Sequence, residues 1–243
     1  MIYQRKNNQV SYGEAIGILL LDSPIPFIPG DVANATTYDF PVRFKRVPGF
    51  SVEKAVGKDE GIYPKLLKAA RELKANGVRA VTGDCGFMAL HQQRLKQDLG
   101  IPVFLSSLFQ IPFIRHIICD KGKIGIITAS AQSLTPSFFK AVNIQGGSDL
   151  VIQGLEHFPE FKSAVLDEKG SLDTDIIKAE VIQTAKTITR EEPRVKAILL
   201  ECSVLPPYAR AVQKATGLPV FDYITMVNYV FSALVKKTYN GFM

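Results

Sequence analysis

Two stretches decide the architecture: residues 78–104, VRAVTGDCGFMALHQQRLKQDLGIPVF, and residues 195–221, VKAILLECSVLPPYARAVQKATGLPVF. They align without a gap, and the constant offset, 202 − 85 = 117, sets Cys85 on Cys202. The same offset pairs Asp84 with Glu201, Ala80 with Ala197, Gly100 with Gly217, Pro102 with Pro219 and Phe104 with Phe221. Each copy opens on a short apolar run, passes an acidic residue and a cysteine, continues with helical spacing and closes on Gly-x-Pro-Val-Phe. That order predicts strand, turn, helix, turn, strand. Gly100 and Gly217 stand where a helix needs a left-handed C-terminal cap, and the proline that follows stops the helix before the next strand.

Working outward, residues 15–20, AIGILL, are echoed by residues 123–128, KIGIIT, so each half opens with one such strand. Strands alternating with helices imply parallel sheets covered on both sides and joined by right-handed crossovers. The predicted fold is therefore α/β, in two pseudo-symmetric halves, each a mainly parallel sheet flanked by helices, with the active site in the cleft between them. Residues 1–120 would form the first half, with a helix over 63–76 and Cys85. Residues 121–243 would form the second, with Cys202, and residues 225–237 are placed to pack back onto the first. The polar, Pro-rich stretch 22–51 reads as a long loop that covers the cleft.

The composition sets bounds. In 243 residues, 47% are hydrophobic, enough to fill a proper core. The 29 Lys+Arg and 23 Asp+Glu leave a net charge of +6, but the basic residues are scattered, so nucleic-acid binding is not expected. No apolar run approaches the roughly 18 residues of a membrane span. Residues 1–11 lack the pattern of a secretory signal, so a soluble, cytoplasmic protein is expected.

Three widely spaced cysteines read as reduced thiols and not as a disulfide framework. Cys119 lies outside the repeat and reads as a small apolar filler. Cys85 and Cys202 both fall at a strand end leading into a helix, where ligands bind in open parallel sheets and where free N–H groups favour a thiolate. Related by an approximate two-fold axis, they would approach one carbon from opposite sides as an acid/base pair. A metal site is not supported, because no Cys-x-x-Cys or His-x-x-x-His spacing occurs and only His91, His116 and His157 are present.

With the motifs Thr82-Gly83-Asp84-Cys85-Gly86-Phe87 and Leu200-Glu201-Cys202-Ser203-Val204-Leu205-Pro206-Pro207, nearly the whole chain resembles the aspartate/glutamate racemase superfamily, which includes hydantoin racemases, maleate isomerases and arylmalonate decarboxylases. The resemblance implies catalysis without pyridoxal phosphate, metal or any other cofactor. It also implies that Gly86, Phe87 and Ser203 bind a substrate carboxylate. Asp22-Ser23 resembles the acidic-serine pair after the first strand of glutamate racemases, and Thr128-Ala129-Ser130 resembles the family's hydroxyl-bearing loop. A helix N-cap is the alternative for Ser130. Asn34 and Thr36 are further candidates, set against plain turn chemistry around Gly30-Asp31. Val204 stands near where glutamate racemases carry a histidine, and Gly86-Phe87 where they carry Asn-Thr, so the side-chain contacts to the substrate differ from theirs and glutamate is one of several substrates the resemblance implies.

The leading expectation is thus a cofactor-independent racemase or epimerase that moves a proton at the acidic α-carbon of an amino acid or related carboxylate, of aspartate, glutamate or hydantoin type, through two cysteines. The alternatives are isomerase or decarboxylase chemistry using one cysteine, and a non-catalytic module that binds a small carboxylate. The expected partner is a small anionic carboxylate, and assembly into homo-oligomers stays open.

Overall fold

The computed structural model describes residues 1–7 and 9–243. Its strands form two separate parallel sheets. The first has the order β2-β1-β3, from Val42–Arg46, Ile16–Leu20 and Ala80–Gly83. The second has the order β5-β4-β6-β7, from Leu150–Gly154, Lys123–Thr128, Val195–Leu200 and Val220–Phe221. The echoed runs form β1 and β4, and each takes an inner place between two partners. The two halves are thus α/β units of the same design.

The repeat holds down to hydrogen bonds. Val81 of β3 bridges Val103, and Ile198 of β6 pairs with Val220; both partners are related by the offset 198 − 81 = 220 − 103 = 117. The Val81 N–H donates to the Pro102 carbonyl at 3.0 Å, and the Ile198 N–H to the Pro219 carbonyl at 2.9 Å. The helices after the cysteines, Gln92–Leu99 and Ala209–Thr216, end at Gly100 (φ 64°) and Gly217 (φ 70°), both left-handed. A side chain there would clash with its own backbone, which is why glycine closes both units.

β1, β3, β4 and β6 are buried almost throughout, whereas β2 and β5 are half-buried edges. β2 lies within the stretch expected to be a loop. Its sequence, VRFKR, alternates apolar and basic residues, as a strand with one covered face does, and the charges blunt an edge that would otherwise invite pairing.

One large apolar core runs through both halves, from Leu19 and Leu66 to Val181 and Leu200. A second cluster joins Ile16, Ile18, Ala80 and Phe104 of the first half to Tyr223, Met226 and Val227 of the helix Tyr223–Leu234. That helix begins at Asp222, whose carboxylate accepts from the Thr225 N–H at 2.8 Å while the Thr225 hydroxyl accepts from the Asp222 N–H at 2.9 Å. The buried Tyr223 hydroxyl donates to the Leu105 carbonyl at 2.7 Å, so the end of the chain is tied to the first sheet. Among the described residues no helix is long and apolar enough to cross a membrane.

Candidate active site

β3 and β6 end at the place where the two halves meet, and each delivers an acid and a cysteine there. The acids are held alike at the backbone: the Asp84 N–H donates to the Leu19 carbonyl and the Glu201 N–H to the Ile127 carbonyl. Asp84 to Phe87 from one half and Glu201 to Val204 from the other line a common pocket. Its remaining wall is apolar. Leu21, Ile25, Phe27, Val52 and Val56 come from the first half, and Ala129, Val165 and Leu166 from the second. Val52 and Val56 sit on a short helix that packs against the π-helical turn Lys162–Leu166, so the two halves also meet in the pocket cover. Ile25 and Phe27 show that the 22–51 stretch contributes to that wall.

Hydrogen bonds cross between the halves at the motifs themselves. The Ser203 hydroxyl donates to the Asp84 carbonyl, and the Ser107 hydroxyl donates to the Leu200 carbonyl at 3.1 Å. Phe87 stands edge-on to Phe138 with ring centres 5.1 Å apart. A rigid seam of this kind fixes the two cysteines relative to each other.

Among the described residues no Lys or Arg lines the pocket, and its titratable groups are Asp84, Glu201 and the two thiols. Burial lifts Asp84 to about 7, against two hydrogen bonds from the Leu21 N–H at 2.9 and 3.2 Å. Burial likewise lifts Glu201 to about 7, against one hydrogen bond at 2.8 Å from the Thr128 hydroxyl. Cys202 is buried and Cys85 half-buried. Burial also pushes both thiols up; Cys202 and then Asp84 add to this for Cys85, and Glu201 does so for Cys202. The lowering expected from backbone N–H groups is present but loses: Phe87 lowers the Cys85 thiol and Val204 and Ser203 lower that of Cys202, yet loss of water in an apolar pocket outweighs them. Cys202 itself lies in a turn, and the next helical segment begins only at Pro206. Both resting thiols are therefore neutral near pH 7.

Of the residues singled out in the sequence, Cys85, Gly86, Phe87, Cys202 and Ser203 come together on the pocket wall. The others do not line it. Asp22 caps a turn through the Gly49 N–H at 2.8 Å and pairs with Arg46 at 3.3 Å. Ser23 accepts from the Ile25 N–H at 3.3 Å, a local turn. Asn34 accepts from the Thr36 N–H and hydroxyl and donates to the Phe27 carbonyl at 2.9 Å. Ser130 accepts from the Ser133 N–H at 3.2 Å across the turn 131–133, and it is not a helix N-cap, since the next helix, Pro136–Ala141, begins after Thr135. Thr128 lies behind the wall and holds Glu201. Cys119 is exposed and no filler, because it sits in the turn before β4. Sequence reasoning passed over Asp84 and Glu201 as site residues, although the repeat that matched the cysteines matched these acids too.

Among the described residues no group of three or more His, Cys, Asp or Glu is arranged to hold a metal ion. No family model matches the chain. Solved structures of low identity share its fold. Allantoin racemase from Pseudomonas fluorescens superposes with a TM-score of 0.60 at 15% identity, over 91% of both chains. A mutant of arylmalonate decarboxylase gives 0.59 at 16%, over 90% of this chain and 92% of that one. A glutamate racemase isoform from Bacillus anthracis gives 0.53 at 18%, over 90% and 82%.

Curated relatives are more similar in sequence. The dimethylsulfoniopropionate lyase of Durusdinium sp. clade D is 32% identical over 231 residues, 92% of this chain and 76% of its own length. Dimethylsulfoniopropionate lyase 3 of Emiliania huxleyi is 31% identical over 233 residues, 92% of this chain but 60% of its own length. These relatives are lyases, and racemases occur among the distant structural neighbours. The alternative of isomerase or decarboxylase chemistry using one cysteine, a decarboxylase being itself a lyase, thus fits the relatives better than the two-cysteine racemase expected first. With the fold of the aspartate/glutamate/hydantoin racemase superfamily, the chain belongs to the family of the dimethylsulfoniopropionate lyases.

Proposed function

We propose that this enzyme is a lyase that cleaves dimethylsulfoniopropionate, or a closely similar onium-substituted propionate, by elimination in the pocket between its halves. In such a molecule the carbon next to the carboxylate carries the acidic protons and the next carbon carries the sulfonium. A base removes one α-proton, the C–H electron pair becomes the Cα–Cβ double bond, and the Cβ–S pair leaves on sulfur. The products are acrylate and neutral dimethyl sulfide, with the proton left on the base. The leaving group needs no proton, so one base suffices.

The observation that carries this reading is the pocket lining: two thiols and two carboxyls in an apolar wall without any basic side chain. Such a wall suits a methyl-bearing cation. The thiols are raised chiefly by burial, and a bound sulfonium would place a positive charge beside them, which favours ionisation of a neighbouring thiol. Cys202 is the proposed base, because two backbone N–H groups, of Val204 and Ser203, act to lower its thiol, against one, of Phe87, for Cys85. The Gly86 N–H, without a partner among the described residues, is the proposed anchor for the substrate carboxylate.

Headspace measurement of dimethyl sulfide, with acrylate followed by NMR, tests the reading. Release that depends on Cys202 supports it, and absence of both products overturns it. Racemisation is the second reading, favoured by the cysteine on each wall. It requires solvent deuterium at the α-carbon of a recovered amino acid and equal dependence on Cys85 and Cys202.

A further inference from the structure

The repeat places two acids in the pocket, but they are not equivalent. Both oxygens of Asp84 accept from the Leu21 N–H. Glu201 spends Oε2 on the Thr128 hydroxyl, while Oε1 is buried without a hydrogen-bond partner among the described residues, on a residue only 1% exposed. Oε1 lies over Gly86, and Glu201, Gly86 and Phe87 all line the pocket. A buried acceptor left without a donor is costly and marks a place where something else supplies the missing interaction.

We propose that Glu201 is the specificity residue for the charged end of the substrate, acting as counter-ion to a fully alkylated onium group. This rests on the reading of the site given above and names the residue that selects its substrate class. A fully alkylated onium has no N–H to donate, so ordinary hydrogen-bonding partners cannot recognise it. It is recognised by a negative charge, by weak C–H···O contacts and by aromatic or aliphatic walls. Glu201 offers the first two, and Phe27, Phe87, Ile25 and Val52 offer the third. Because burial holds the empty-pocket carboxyl near 7, an arriving cation draws it into the ionised form. A simple anionic carboxylate would meet two acids and no base, whereas a zwitterion brings its own compensation.

The test measures binding separately from turnover. 3-(Trimethylammonio)propionate, whose amine is a poor leaving group, and 4,4-dimethylpentanoate, its isostere with a neutral carbon in place of the cationic nitrogen, are titrated calorimetrically into the full chain and into Glu201→Gln. The wild type should bind the onium roughly tenfold or more tightly than the isostere, and Glu201→Gln should lose that discrimination while binding the isostere unchanged. Equal binding of the probes by the wild type, or undiminished discrimination in Glu201→Gln, overturns the proposal. Should Glu201→Gln not fold, Glu201→Asp serves instead: withdrawing the carboxyl by one methylene should weaken onium binding, and unchanged binding overturns the proposal. A protein that selects the onium but releases no dimethyl sulfide would sink the lyase reading alone. Release without onium selection would sink this inference alone.

Discussion

Gly86 leaves the space that the Glu201 side chain fills from the other half. A Cβ at Gly86 would stand 1.7 Å from Glu201 Oε1 and 3.1 Å from the Glu201 carbonyl oxygen. Gly86→Ala must therefore push an acid out of place beside both cysteines. The expected result is loss of most activity and a destabilisation of about 1–3 kcal/mol, the usual cost of overpacking; urea unfolding and the dimethyl sulfide assay measure the two. Glu201 also leaves a signature in the pH dependence of stability. Its folded-state value of about 7 lies above the ordinary 4.5, so the folded protein holds more protons than the unfolded chain between these values. The contribution is fully present below the ordinary value and is lost as pH rises through the folded one. Glu201→Gln removes that loss, so its melting temperature relative to wild type should climb from pH 4 to pH 8. A constant difference would contradict the burial argument.

At the scale of the element, the strand–turn–helix unit was legible because its two copies constrain each other. One glycine before one Pro-Val-Phe is a weak signal, but the same pattern at a fixed offset placed the strands, the helices and their caps. The matching φ of 64° and 70° at Gly100 and Gly217 gives the physical reason for the repeated glycine. Gly217→Ala, with open space around its added methyl, should cost about 1–2 kcal/mol through backbone strain alone and leave turnover intact, as chemical denaturation and steady-state rates would report. The edge strands were not legible in this way. β2 sits in a Pro-rich polar stretch, and its half-buried face gives a short alternation that only the neighbouring β1 makes into a strand. Candidate polar residues in such stretches carry two readings for a related reason. Asp22, Ser23, Asn34 and Ser130 carry side chains that close turns as readily as they bind ligands, and here they close turns.

For the molecule as a whole, duplication explains both what the sequence disclosed and what it withheld. Two like units bring two like cysteines to a shared pocket, and the repeat makes that juxtaposition readable. The direction of the thiol shift was not readable, because it depends on the apolar wall assembled from Leu21, Ile25, Val52, Val56 and Val165, residues scattered over both halves. That wall keeps water from the four titratable groups. The proposed chemistry draws on asymmetries between the halves: two backbone N–H groups lower the thiol of Cys202 against one for Cys85, and Glu201 Oε1 has no partner among the described residues, whereas both Asp84 oxygens share the Leu21 N–H. The central claim is that Cys202 takes the proton next to the carboxylate as the sulfide departs. Dimethyl sulfide release from substrate deuterated at the α-carbon, timed beside unlabelled substrate in wild type and Cys202→Ser, tests it most directly. The account predicts slower release from the deuterated substrate in wild type and none from either substrate in Cys202→Ser. Equal rates for both substrates, undiminished in Cys202→Ser, would contradict it.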